Sequence, residues 1–157
     1  MPELSHTDAS GAARMVDVTD KDATARTAVA TGTFRTTAEV IGLISSAGLP
    51  KGDALATARI AGIMAAKRTP ELVPLCHPIA LSAVIVELAV GERTVAVTAT
   101  VRTTDRTGVE MEALTAVAVA GLTLHDMVKA VDPAAVMDGV RVLTKDGGKT
   151  GHWSSDD

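Results

Sequence analysis

Hydrophobic and polar positions alternate along residues 26–35, in a run rich in Thr, Val and Phe. A period of two residues is typical of a half-buried strand. The same period returns in residues 80–90 and 93–104, which a short Gly-Glu turn separates. The pattern predicts a hairpin for these two runs. A fourth strand is predicted from Gly139 to Lys145, ahead of a glycine-rich segment.

Helical patterns fill the intervals between the first strand and the hairpin. Thr36 and Glu39 have the spacing of a capping box, which predicts a helix to about Ala47. After a Gly-Pro break, Asp53 is placed to cap a second helix over residues 54–67. A connector with three prolines follows, and its first residues can form one helical turn.

The longest predicted helix runs from about Val109 to Val131, behind a second capping-box spacing at Thr107 and Glu110. Between residues 113 and 124 it is apolar or small on every side. A helix of this kind must be covered all round. In so small a domain, a sheet on one side and another subunit on the other would do this, so we expect a homo-oligomer.

The order of the elements is βαββαβ, which is the order of ferredoxin-like folds. We therefore predict an α+β protein with an antiparallel sheet and helices on one face. Its 157 residues fit one domain, and the small polar residues of 1–14 and 152–157 predict flexible ends. This arrangement hosts many unrelated functions, so it does not assign an activity.

Composition narrows the classes of partner. A formal charge of −4 and an aromatic content of 1% argue against a surface that follows a nucleic-acid backbone. The sequence has no run of about 18 apolar residues that would span a membrane and no apolar leader at its start. A single cysteine, Cys76, fits a reducing compartment, so we expect a cytoplasmic protein.

Lysine placement is informative. Five of the six lysines fall in Gly or Pro loops or at the ends of predicted elements: Lys51, Lys67, Lys129, Lys145 and Lys149. Ammonium groups gathered from several loops, beside glycine-rich backbone N–H groups, would suit a polyphosphate. The alternative, that lysines at helix ends only balance the helix dipole and stay solvated, remains open.

Other side chains allow more than one interpretation. Asp126 and Lys129 are three apart on a helix, so they can form either an acid–base pair or an exposed salt bridge. Glu112 heads into the buried stretch without a structural reason, which suggests a polar ligand group or a subunit contact. His77 can bind an anion, transfer a proton or be a satisfied buried histidine. Adjacent Cys76 and His77 are a poor metal signal, so no metal site is predicted.

Eight segments form a distinctive set: Met15–Val18, Lys51–Asp53, Ala56–Ile63, Ala65–Thr69, Pro74–Pro78, Thr107–Thr115, Asp126–Ala130 and Gly147–Lys149. Through these segments the chain closely resembles the MoaC family, from about residue 5 to residue 151. None is specific alone, but the set is. His125 is a departure, since a larger aromatic residue is expected directly before Asp126.

The resemblance implies a ferredoxin-like subunit, a homohexamer built as a trimer of dimers, and active sites shared across a subunit interface. It implies conversion of the GTP-derived (8S)-3′,8-cyclo-7,8-dihydroguanosine 5′-triphosphate to cyclic pyranopterin monophosphate and pyrophosphate. No cofactor is implied, and whether Mg²⁺ accompanies the triphosphate is left open.

The resemblance also implies site residues. The catalytic positions fall on Asp126, Lys129 and Lys51, and the substrate-contacting positions fall on Leu75, Cys76, His77, Met111 and Glu112. We further hypothesise that four basic residues bind the phosphates: Lys67, Lys145, Lys149 and Arg26.

Two other functions compete with this one. A ferredoxin-like oligomer that only senses a nucleotide or pterin would need the lysines but not Asp126. An RNA-binding domain would need several aromatic residues on its central strands, where this sequence has only Phe34.

Overall fold

The fold is taken from a computed structural model, which describes residues 5–156; residues 1–4 and 157, part of the ends predicted to be flexible, lie outside this range. Its strands and helices follow in the order β1 (Thr24–Arg35), α1 (Ala38–Ser45), α2 (Ala54–Lys67), α3 (Thr69–Leu72), β2 (Leu81–Val90), β3 (Thr94–Asp105), α4 (Glu110–Val128), β4 (Val136–Asp146) and β5 (Trp153–Ser154).

The strands form one antiparallel sheet in the order β2-β3-β1-β4-β5. The α+β class is therefore confirmed, as is the β2–β3 hairpin. Two register shifts interrupt the pairing of β1 with β4, whereas β1 pairs with β3 without a break. The central pair β1 and β3 is thus the regular part of the sheet.

One face of this central pair forms the hydrophobic core. Ala28 lies opposite Val101 and Phe34 lies opposite Val95, and all four side chains are buried. Because every second residue faces the same way, the alternation seen in the sequence places these residues together. α4 packs against β1, β3 and β4, so it lies across the centre of the sheet.

α2 packs tightly against α4 and also contacts β2. At Gly62 a Cβ atom would lie 3.0 Å from the carbonyl oxygen of Ala116, so the backbones approach closely. Ala58, Ala65 and Ala120 are buried nearby. This contact brings the start of α2 next to the end of α4.

The first predicted capping box is wrong, because Thr36 has a distant partner. Thr37 caps α1, accepting a hydrogen bond from the backbone N–H of Val40. The hydroxyl of Thr36 instead donates to Asp132, 96 positions away. The cap predicted for α2 is correct, since Asp53 accepts from the N–H of Ala56.

The second predicted capping box is also wrong. The N-cap of α4 is Val109, which provides no side-chain hydrogen bond. The Glu110 carboxylate pairs with Lys145 of β4, with its Oε1 3.4 Å from Nζ. The helix also ends at Val128 rather than Val131, and Lys129 follows as its C-cap.

By length and composition, the 19-residue α4 is apolar enough to cross a membrane. Its packing explains this composition, because much of the helix is buried against α2 and the sheet. Not every side of α4 is covered within the protomer. Leu122 is 68% exposed, and Val136 and Val140 of β4 are also exposed.

The short strand β5 lies at one edge of the sheet. Trp153 of β5 pairs with Lys145, and Ser154 pairs with Thr144. His152 Nδ1 lies 2.6 Å from Asp146 Oδ1, across the loop that carries Lys149. The last residues of the described range are therefore connected to the glycine-rich segment.

Candidate functional site

A cavity of about 310 Å³ brings together five residues predicted to bind substrate: Leu75, Cys76, His77, Met111 and Glu112. We call it the His77 cavity. The connector after α3 supplies three of them, and the first turn of α4 supplies the other two. Residues of the amino-terminal segment, including His6, Val16, Val18 and Lys21, form another wall. Its size and mixed apolar and polar lining are typical of a small-molecule site.

Glu112 is a buried acidic residue in the lining of this cavity. Its side chain is only 3% exposed, and its Oε2 has no hydrogen-bond partner among residues 5–156. Burial, together with the nearby Glu110 charge, raises the pKa of Glu112 to about 7. A buried polar atom without a partner is costly, so a ligand with N–H donors would relieve this cost.

His77 has a fixed orientation. Its Nε2 donates to the backbone carbonyl of Val16 at 2.6 Å, which leaves Nδ1 for a ligand or water. Burial, with the Glu112 charge, raises the pKa of the Cys76 thiol. Cys76 therefore lines the cavity as a neutral thiol at physiological pH and does not act as a nucleophile.

A second cavity, of about 320 Å³, contains two residues predicted to bind phosphate, Arg26 and Lys149. We call it the Arg26 cavity; its other lining residues are Asp20, Lys21, Asp22, Thr24 and Gly148. The guanidinium Nε of Arg26 donates to the carbonyl of Asp105 at 3.1 Å. Gly148 adopts a φ of 73° and packs against that guanidinium, so a side chain there would collide with Arg26.

Lys21 lines both cavities, which makes them neighbours. Lys21 is not among the residues predicted from the sequence to bind substrate or phosphate, because it lies in an irregular segment without the Gly or Pro residues that mark the other loops. The sequence holds one usable signal: Lys21 is the one lysine of the six that was not assigned a role, and it precedes Arg26 by five positions.

The three predicted catalytic residues meet at the other end of α4. Lys51 Nζ lies 2.8 Å from both carboxylate oxygens of Asp126, and Lys129 Nζ lies 2.9 Å from Asp126 Oδ1. Hydrogen bonds from Lys51 and then Lys129 lower the pKa of Asp126 to about 2. Each of these side chains is about half exposed. We call this group the Asp126 cluster.

Within residues 5–156 of one chain, the Asp126 cluster and the His77 cavity lie apart. Glu112 and Asp126 are fourteen positions apart on α4, which corresponds to about 21 Å along the helix axis. Beside the cluster, Leu122 and His125 line a shallow depression with Met137 and Val140. His125 is held there by a hydrogen bond from Nδ1 to the carbonyl of Ala135.

Two predicted phosphate ligands lie apart from the Arg26 cavity. Lys67 is the exposed last residue of α2 and lines neither cavity. Lys145 is paired with Glu110, which lines the His77 cavity. Within residues 5–156, no group of three or more His, Cys, Asp or Glu side chains is placed to hold a metal ion.

Comparisons with known proteins show the family to which the chain belongs. Residues 15–148 match the MoaC family. The cyclic pyranopterin monophosphate synthase 2 of Mycobacterium tuberculosis is 66% identical, over 97% of this chain and 91% of its own length. Cyclic pyranopterin monophosphate synthases of Nocardioides and Corynebacterium efficiens are 64% and 58% identical, over 96% and 98% of this chain and 94% and 99% of their own lengths. The chain therefore belongs to the MoaC family.

Proposed function

We propose that this chain is a cyclic pyranopterin monophosphate synthase, an enzyme of molybdenum cofactor biosynthesis. It converts (8S)-3′,8-cyclo-7,8-dihydroguanosine 5′-triphosphate to cyclic pyranopterin monophosphate and pyrophosphate. Family membership and the names of relatives 58–66% identical support this activity. The structural observation that carries the proposal is the Asp126 cluster, in which two lysines from different elements meet one carboxylate.

The Asp126 cluster supplies proton transfer. A pKa of about 2 keeps Asp126 ionised at neutral pH, so the proton donors within the cluster are the ammonium groups of Lys51 and Lys129. When a bound phosphate attracts one of these lysines, Asp126 loses part of its stabilisation and becomes a stronger base. The same ammonium groups offset negative charge on the departing pyrophosphate.

The His77 cavity binds the fused rings. The guanine-derived ring offers N–H donors, and the Oε2 of Glu112, which has no partner among residues 5–156, is the acceptor that fits them. Leu75 and Met111 supply apolar walls, and His77 Nδ1 is free for a polar substituent. The Arg26 cavity takes the phosphates through Arg26 and Lys149, with Lys145 and Lys67 as further cations.

We further propose that each active site combines the His77 cavity of one protomer with the Asp126 cluster of another. The separation of about 21 Å within the protomer supports this arrangement. The exposed Leu122, Val136 and Val140 beside the cluster are apolar surface that a second copy would cover.

The subunit is ferredoxin-like, supported by its βαββαβ order and the strand order β2-β3-β1-β4. The assembly we propose is a homohexamer, a trimer of dimers.

The proposed reaction needs no resident cofactor, because proton transfer and internal displacement at phosphorus are within reach of the lysines and Asp126. Mg²⁺ is compatible with the triphosphate as part of the substrate. Measuring turnover in the presence of a metal chelator tests whether the reaction requires Mg²⁺. We place the enzyme in the cytoplasm, a choice that the single free cysteine supports.

The test is direct. The purified protein is incubated with the cyclised nucleotide triphosphate, and cyclic pyranopterin monophosphate and pyrophosphate are measured by mass spectrometry and a coupled phosphate assay. We expect both products in equal amounts. A protein that binds the triphosphate but forms neither product would instead be the non-catalytic nucleotide-binding module.

A further inference from the structure

The position of Lys21 between the two cavities suggests that different cations bind different phosphates of the substrate. We propose that Lys21 binds the phosphate group nearest the sugar, which the cyclic product keeps, while Lys149 binds the outer phosphates that leave as pyrophosphate. This inference rests on the proposed function, because it assumes that the substrate's rings lie in the His77 cavity.

The order of the cations along the cleft supports this division. Lys21 lines both cavities, whereas Arg26 and Lys149 line only the Arg26 cavity. A nucleotide whose rings contact Glu112 and His77 and whose phosphates reach Arg26 and Lys149 would span both cavities, and Lys21 is the cation that lines both. We therefore assign the phosphate next to the sugar to Lys21.

The backbone before Lys21 is well defined. Asp17 accepts hydrogen bonds from the N–H and hydroxyl of Thr19, at 2.9 and 2.5 Å, and the N–H of Lys21 donates to the carbonyl of Val18 at 3.1 Å. These bonds form a turn that presents Lys21 at the boundary of the cavities. Within residues 5–156, the Lys21 ammonium makes no ion pair, unlike those of Lys51, Lys129 and Lys145. It is therefore available to an anion.

Charge balance makes each cation in the Arg26 cavity important. Lys21, Arg26 and Lys149 share the cavity with Asp20 and Asp22, which leaves a net formal charge of one positive unit. Such a cavity does not attract anions strongly through its overall field. Phosphate binding there depends on direct contacts from individual side chains, and charge-assisted hydrogen bonds of this kind are the stronger class.

The chemistry of the reaction separates the two roles. The inner phosphate stays in the product as a cyclic ester, and the outer two leave together. A residue that binds the inner phosphate contributes to product affinity but not to pyrophosphate affinity. A residue that binds the outer phosphates contributes in the opposite way. Product and pyrophosphate are therefore separate probes of the two positions.

The experiment compares Lys21→Gln, Lys149→Gln and the parental protein by titration calorimetry with cyclic pyranopterin monophosphate and with inorganic pyrophosphate. Arg93→Gln is the matched control, because Arg93 is an exposed cation in the β2–β3 turn, outside both cavities. Thermal unfolding and light scattering check that every variant keeps its fold and assembly. Turnover of the parental protein is measured in parallel.

For Lys21→Gln we expect the dissociation constant of the product to rise about tenfold, as for loss of one charged hydrogen bond, with pyrophosphate binding unchanged. Lys149→Gln should do the reverse, and Arg93→Gln neither. Unchanged product affinity in Lys21→Gln, an equal loss for both ligands, or no product binding by an active parental protein would each overturn the inference. A parental protein without turnover overturns the proposed function itself, and this inference falls with it.

Discussion

Lys51 Nζ lies 2.8 Å from each carboxylate oxygen of Asp126, although the two residues are 75 positions apart in the chain. Lys51 belongs to the segment before α2, and Asp126 lies in the last turn of α4. They meet because α2 and α4 pack closely, through the contact of Gly62 with the backbone of Ala116. Helix packing therefore determines the geometry of the proposed acid–base group.

Substitution of Asp126 by Asn, or of Lys51 by Ala, should lower kcat by a factor of about 10² or more, the range for loss of a general acid or base. The fold should persist, because these side chains are about half exposed. Steady-state turnover and circular dichroism measure the two effects.

A matched control for these variants is Asp138→Asn. It breaks the exposed Arg35–Asp138 ion pair, which has a similar length of 3.0 Å and similar exposure but lies outside the proposed site. Its kcat should equal that of the parental protein. Near-parental turnover by Asp126→Asn would rule out the catalytic role of the cluster.

The pH dependence of kcat/KM should report Glu112. Its pKa is raised to about 7, so below that pH the group is protonated, loses its charge and is a weaker acceptor for the ring N–H donors. We therefore expect kcat/KM to rise through about pH 7 and then level off. Glu112→Gln should lack this step, while Glu110→Gln should keep it. A step that persists in Glu112→Gln would assign the titration to another group.

Close packing of α2 and α4 can be tested with two helical glycines. Gly42→Ala should stabilise the protein by about 1 kcal/mol, because alanine favours helix and no atom lies within 4 Å of the new Cβ. Gly62→Ala should lack this gain or reverse it, since its Cβ would lie 3.0 Å from the carbonyl oxygen of Ala116. Urea unfolding at fixed protein concentration gives both values. Equal stabilisation by the two changes would contradict the packing argument.

Local patterns predicted the elements because their causes are local. Alternation placed β1, β2 and β3, and Asp53 caps α2 as its spacing indicated. The two capping boxes were predicted wrongly because the side chains concerned have distant partners. Thr36 is a good cap residue by pattern, but its hydroxyl donates to Asp132.

Glu110 likewise has the capping spacing, but its carboxylate pairs with Lys145 on a strand that comes much later in the chain. The contacts of the Asp126 cluster also divide into local and non-local ones. Asp126 and Lys129 could be paired from helix geometry, whereas the contact of Lys51 depends on how α2 packs. Lys21 was missed because no periodic pattern marks its segment.

The proposed sharing of the active site between two protomers leads to a complementation test. Asp126→Asn inactivates the cluster and leaves the His77 cavity intact, while Glu112→Ala alters the cavity and leaves the cluster intact. If each site takes one part from each of two protomers, a mixed pair contains one site with both parts unaltered. Random exchange of equal amounts should then restore about one quarter of parental activity, since half of the pairs are mixed and each has one good site of two. Co-refolded mixtures, with each variant alone as control, give the measurement. If both parts come from the same protomer, no mixture regains activity, because every protomer carries one defect.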